Sequence, residues 1–100
     1  MADPASGATE GQPAEEPVHL LCPITHIMFQ DPVAVCSSGH TYERAAIFEH
    51  WRRRGRPHDP LTNMELKSFS VTTNWGKRLE VAEFLRQHAS YIPDGWSSRR

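Results

Sequence analysis

Between Leu21 and Thr62 the chain carries four short blocks, each containing a proline or a glycine. They read L-C-P-I-T at 21–25, D-P-V at 31–33, G-H-T-Y-E-R at 39–44 and D-P-L-T at 59–62. Proline lacks a backbone donor and disfavours helix in the residue before it, so this region divides into loops and short strands. The stretch from Val18 to Gln30, broken by Pro23, reads as an ordered loop. After Pro32, Val33-Ala34-Val35-Cys36 reads as a short strand, Ser37-Ser38-Gly39 as a turn, and His40-Thr41-Tyr42 as the returning strand of a hairpin.

From Glu43 the period changes. Ala46, Ile47, His50 and Trp51 fall on one helical stripe. Thr41 is placed as the cap of this helix or just before it, Glu43 lies where its dipole favours an anion, and Arg52, Arg53 and Arg54 precede the stop at Gly55. A second helix is expected from about Asn74, its cap, to His88, with Trp75, Leu79, Ala82, Leu85 and Ala89 as its apolar face and Pro93-Asp94-Gly95 ending any continuation. Between the helices lies a turn-rich loop from His58 to Ser70, with Ser70-Val71-Thr72 as a short third strand. At 100 residues and 38% hydrophobic, the chain has material for one small domain.

In this order and at these intervals, with Ile47 and Trp51 following the third, the blocks resemble the U-box domain of ubiquitin ligases. The resemblance implies an α+β, zinc-free RING-like fold over about 18–90. Its parts are two groove-forming loops, a β-hairpin with a third strand, a central helix and a C-terminal helix. It is strong through Thr62 and weaker beyond. Thr73 stands where the family has proline before Asn74, and Lys77 where it has leucine. The implied function is a ubiquitin-protein transferase of the scaffolding kind. Such a module grips a ubiquitin-charged conjugating enzyme non-covalently while ubiquitin passes to a substrate lysine. No residue of this chain is then catalytic in the covalent sense, the substrate is unspecified, and self-association is compatible with the family.

The same resemblance assigns site residues. Ile24 matches the apolar anchor of the first loop, though burial in the core is the ordinary fate of an isoleucine. His26 matches a second contact position, which a neutral imidazole can serve, or it is a solvated loop residue. Pro60 matches the proline of the second loop and also suits a turn by presetting φ. Leu61 is expected to plug inward behind it. Trp51 either lines the groove or belongs to the core. Asn63 stands where strongly activating members carry an arginine, and it lacks that residue's fixed charge and five-donor fork.

Two cysteines, Cys22 and Cys36, are expected to be small buried apolar groups. Cys22 with His26 and Cys36 with His40 have four-residue spacing and could supply one zinc site. The two sites of a zinc RING are beyond this ligand supply, so the expectation is folding without metal or other cofactor. A nucleophilic Cys36 activated by His40 is set aside, because a thiolate needs an accessible, electropositive setting. In place of zinc, a polar network is expected to fasten the loops, with Asp31, Ser38, His40, Arg44, Asp59 and Thr62 as its members. Tyr42 reads as a core aromatic with a bonded hydroxyl.

Residues 1–17 hold three prolines, two glycines, four alanines and four acids with no base, and read as a disordered acidic tail. Removing that −4 from the net −1 leaves +3 for the remainder, which demands no polyanionic partner. No apolar stretch approaches the roughly 20 residues of a membrane span, and no signal-peptide pattern opens the chain, so cytosol or nucleus is expected. Arg52, Arg53, Arg54 and Arg56 beside Trp51 could touch nucleic acid, but three of them also simply complement a helix C-terminus. An assembly module of the same shape with little ligase activity is the other reading. Residues 91–100 are a C-terminal tail too short for a second domain, in which Trp96 either packs back or anchors a partner.

Overall fold

The computed structural model describes residues 15–97; the acidic tail expected over 1–17 lies outside the described residues up to position 14. A 3-10 turn at Val18–Leu20 opens the described chain. It is followed by β1 (Pro32–Val35), β2 (Thr41–Glu43), α1 (Arg44–Arg54), β3 (Val71–Thr73) and α2 (Trp75–Gln87). The three strands form one antiparallel sheet in the order β2-β1-β3. Val33 stands opposite Tyr42 on one side and Thr73 on the other.

The hairpin forms because Gly39 takes φ 82°, a left-handed conformation that costs glycine little. This brings the Gly39 amide to the Val35 carbonyl at 2.7 Å. Val33 and Val35 face the core fully buried, beside Tyr42, Ile47 and Trp51. Each such aliphatic side chain contributes about 1.5–3 kcal/mol by leaving water. The strand ends one residue earlier than expected, and Cys36 is exposed rather than buried. Its amide turns to the Ser70 carbonyl at 3.0 Å.

Thr41 lies two residues before the N-cap of α1, which is Glu43, and the Glu43 carboxylate does not cap. The sheet claims Thr41, while the Glu43 oxygens accept from the amides of Gln30 and Asp31 at 2.9 and 3.0 Å. The helix closes as expected at Gly55, whose φ of 81° lets its amide reach the Trp51 carbonyl at 2.7 Å.

Asn74 caps α2, accepting from the Lys77 amide at 2.9 Å. Of the expected face only Leu85 packs against the core. Val81 is buried and Phe84 and Leu85 pack against the core, whereas Trp75 and Leu79 are 67% and 70% exposed and Ala82 is exposed. The rotation is set at the cap. The Asn74 amide donates to the Pro32 carbonyl at 2.9 Å and its side chain to Thr41 Oγ1 at 2.7 Å. Once these long-range bonds fix the first turn, Lys77 and Val81 turn toward the body, and Lys77 Nζ reaches the His19 carbonyl at 2.9 Å.

The ordered body also passes both ends of 18–90. Glu16 accepts from the Tyr91 hydroxyl and from the Asp94 amide. Pro93 is buried, and Trp96 packs back, donating from Nε1 to the Met28 carbonyl at 3.0 Å. Among the described residues no helix is long and apolar enough to cross a membrane.

Candidate functional site

Two of the four blocks fold into the same object. Cys22-Pro23-Ile24-Thr25-His26-Ile27 and Asp59-Pro60-Leu61-Thr62-Asn63-Met64 are six-residue turns with one backbone hydrogen-bond pattern. The first residue donates to the carbonyl of the sixth (Cys22 to Ile27, Asp59 to Met64) at 2.9 Å in both. The fifth donates back to the carbonyl of the first (His26 to Cys22, Asn63 to Asp59) at 2.7 Å in both. The sixth amide meets the threonine Oγ1, at 3.2 Å for Thr25 and 3.3 Å for Thr62. The fifth residue is left-handed in each, His26 at φ 61° and Asn63 at φ 64°, and these are the only non-glycine positive φ values among the described residues. One bridge outside each turn, Leu21 with Met28 and His58 with Glu65, closes it. Proline presets φ at the second position, threonine stabilises the bend, and His and Asn tolerate the left-handed residue better than most.

The side chain of the first residue fastens each loop to the sheet. Cys22 Sγ accepts from the Ile24 amide at 3.4 Å and from the Glu43 amide at 3.3 Å. Asp59 Oδ1 accepts from the Leu61 amide at 2.9 Å and from the Tyr42 hydroxyl. The loops therefore hang from adjacent residues of β2. Asp59 Oδ2 takes His40 Nδ1 at 2.9 Å, and Asp59 is fully buried. Burial alone would raise the Asp59 pKa, but the bonds from Ser38, Tyr42, His40 and the Leu61 amide outweigh it and hold it well below the usual carboxylate range. Tyr42 is pushed the other way, above its ordinary 10.0, by burial and by the same carboxylate.

The expected single network is divided. Ser38, His40 and Asp59 belong to the hub of the second loop. Arg44 and Asp31 form a second cluster: Arg44 donates from Nε to Asp31 at 2.8 Å and from Nη2 to Thr73 Oγ1 at 3.1 Å, and Arg78 reaches Asp31 at 3.4 Å. Burial favours a raised Asp31 pKa, and the two guanidiniums reverse it. This cluster joins the start of α1 to β3 and α2 and does not hold the loops. Thr62 belongs to neither; it is exposed and serves its own turn.

Each candidate contact residue now has a place. Ile24 is half-buried with one side on the core, and Pro60 is half-buried. His26 and Asn63 are exposed. Leu61 is 56% exposed and does not plug inward, because the space behind it holds Asp59 and Tyr42, onto which its own amide turns. Trp51 is 2% exposed and a core residue; its Nε1 donates to the His58 carbonyl at 2.7 Å and so pins the second loop to α1. Met64, 62% exposed at the end of the second turn, and the buried His58 are not among the residues that the sequence singled out. The signal that could have found Met64 is the shared x-P-x-T-x-x pattern, which pairs it with Ile27.

Cys22 Sγ accepts from backbone amides and His40 bonds Asp59, while His26 and Cys36 are exposed, and among the described residues no group of three or more His, Cys, Asp or Glu could hold a metal ion. The arginine cluster is partly neutralised. Arg52 and Arg53 share Glu49, and Arg56 pairs with Glu65 at 3.0 Å.

The U-box domain family model matches residues 17–90. The E3 ubiquitin-protein ligase CHIP of Arabidopsis thaliana is 41% identical over 81 residues, covering 81% of this chain and 28% of that protein. U-box domain-containing protein 11 of the same plant is 34% identical, covering 84% of this chain and 13% of its own length. The WD repeat, SAM and U-box domain-containing protein 1 of Gallus gallus is 34% identical, covering 73% and 15%. The chain thus spans less than a third of each of these relatives. Twin turns hung from one strand, a helix pinned behind them and a match along 17–90 together make this chain a member of the U-box family.

Proposed function

We propose that this domain binds a ubiquitin-conjugating enzyme carrying thioester-linked ubiquitin and promotes transfer of that ubiquitin to a lysine of a protein substrate. One observation carries the reading: two rigid loops, fastened to adjacent residues of β2, present Ile24, Leu61 and Met64 at least partly to solvent. Exposed apolar side chains alternating with the polar His26, Thr62 and Asn63 in the same turns suit a transient protein interface. The ligase named among the relatives supports the same conclusion.

In this reading the lysine amine attacks the thioester carbonyl, an isopeptide bond forms, and the conjugating enzyme's thiolate leaves. No bond is made to this chain. Its contribution is to hold ubiquitin and conjugating enzyme in one attack-ready arrangement, which removes orientational entropy from the barrier. Preset φ at Pro23 and Pro60 and the buried Asp59 hub keep the loops in shape before the partner arrives. Asn63, exposed at the left-handed bend, offers carboxamide donors toward ubiquitin or the conjugating enzyme. Substrate choice and localisation to cytosol or nucleus belong to the proposal for the whole protein.

The test is ubiquitin discharge from a panel of charged conjugating enzymes, in chelator, by wild type, Ile24→Ala and Pro60→Ala. Stimulation that survives chelation and falls in both variants is expected. A folded wild-type domain that stimulates no enzyme in the panel would refute the ligase reading and leave an assembly module.

A further inference from the structure

The twin loops differ in how their left-handed residue is held. In the first loop, the residue before the turn is Leu21, a hydrocarbon packed on the core. In the second, the equivalent residue is His58, only 4% exposed. Both of its ring nitrogens are engaged, Nε2 with Asn63 Oδ1 at 2.6 Å and Nδ1 with His50 Nε2 at 3.2 Å. Burying an imidazole where leucine suffices carries a desolvation cost unless both nitrogens are bonded. The first loop shows that the turn itself closes without a polar group there.

Asn63 Oδ1 can only accept, so His58 donates to it from Nε2. The His50 ring meets the other nitrogen, Nδ1, and braces the imidazole from behind. Burial foremost, with His58, Arg54 and Arg53 adding to it, lowers the His50 pKa. With its oxygen engaged by His58, the carboxamide of the exposed Asn63 keeps its two Nδ2 donors out of that bond.

We propose that His58, braced by His50, is a positioning residue that holds the Asn63 carboxamide with its NH2 outward as a ready donor to carbonyl oxygens of ubiquitin or the conjugating enzyme. The proposal rests on the ligase reading of the second loop. It gives an uncharged asparagine a fixed direction, which is what it lacks beside arginine's rigid fork. Freezing one side chain before the encounter spares its ordering during the reaction.

The experiment is single-turnover discharge of ubiquitin to free lysine, titrating the domain, for wild type, His58→Leu, His58→Gln, Asn63→Ala and the His58→Leu/Asn63→Ala pair. Leucine is chosen because the first loop already carries it, and glutamine because its Nε2 can occupy the place of the ring Nε2. His58→Leu should lower the saturating rate about 3- to 10-fold, the scale of one immobilised side chain. The half-saturating concentration should not change. Glutamine should restore most of the rate, and the double variant should be no slower than Asn63→Ala alone. In the free domain, the Asn63 side-chain NH2 resonances should move toward those of unbonded asparagine in His58→Leu and stay in place in His58→Gln.

Loss in Asn63→Ala without loss in His58→Leu would overturn the positioning role and spare the ligase reading. So would a further loss when His58→Leu is added to Asn63→Ala, no recovery with glutamine, or NH2 resonances indifferent to His58. Wild-type discharge untouched by Asn63→Ala would overturn the role of Asn63 and the positioning with it. No wild-type discharge at all would refute both readings.

Discussion

Replacing Asp59 by alanine removes the acceptor on which the second loop hangs. The carboxylate is fully buried and takes the Tyr42 hydroxyl, His40 Nδ1 and the Leu61 amide. A buried donor left without a partner costs about 1–3 kcal/mol. The Leu61 amide keeps a partner in the Tyr42 hydroxyl at 3.2 Å, so the loss falls mainly on the hydroxyl proton and His40. Hydrogen bonds to a charged acceptor contribute about 1.5–3 kcal/mol each, so losing those from Tyr42 and His40 should cost about 3–5 kcal/mol. For a domain of this size each kcal/mol shifts the melting temperature by about 4–8 °C, so Asp59→Ala should melt at least about 12 °C lower. Tyr42→Phe deletes one bond to a charged acceptor and should cost about 1.5–3 kcal/mol. Because the two residues share that bond, the double variant should fall well short of the sum. Thermal and urea unfolding of the four proteins measure these terms, and hydrogen exchange at the Leu61 and Asn63 amides localises the loosening. A drop below about 4 °C for Asp59→Ala, or costs that simply add, would refute the idea that this carboxylate takes the place of a metal in fastening the loop.

Acid should act on the same group. The folded-state pKa values of Asp59 and Asp31 lie below the ordinary 3.8, so their stabilisation is complete above that value and is lost as pH falls further toward the folded-state values. Tyr42, raised above 10.0, gives the mirror image, stabilising below pH 10 and losing that contribution as pH rises beyond it. Urea midpoints from pH 2 to 11 should trace both flanks, and the acid flank should shrink in Asp59→Ala. Leu61→Ser and Met64→Ser should leave stability within about 0.5 kcal/mol, as exposed positions do, yet weaken ubiquitin discharge about 5-fold or more; unchanged discharge would remove them from the interface. Native protein should take up one equivalent of a thiol reagent rapidly, mapped to the exposed Cys36 by mass spectrometry, while the buried Cys22 reacts only on unfolding. Gly95→Ala should destabilise by about 1–3 kcal/mol in a urea titration, since its Cβ would lie 2.9–3.1 Å from the Ile27 side chain at a φ of +87°.

Much of the local structure was legible in the sequence by itself. The hairpin, the third strand and both helices lie within one or two residues of where turn chemistry and periodicity put them. Gly55 and Asn74 end and begin helices as their types suggest, because these signals act over a few neighbouring residues. The order of the four blocks was enough to identify the family. The twin turn was written there too, but its two copies share only proline and threonine, and only the backbone shows them to be the same. Other features depend on contacts between distant positions. Trp51 goes inward and Leu61 outward because Asp59 and Tyr42 fill the space behind the second loop. The exposed side of α2 carries Trp75 and Leu79 because Asn74 is tied to Thr41 and Pro32, which fixes the helix rotation before its apolar pattern is consulted. Arg44 and Asp31 leave the loops to Asp59 because the chain brings Thr73 and Arg78 to them instead. Such competitions for buried space and for bonding partners turn on which distant groups arrive together, and no local pattern records that.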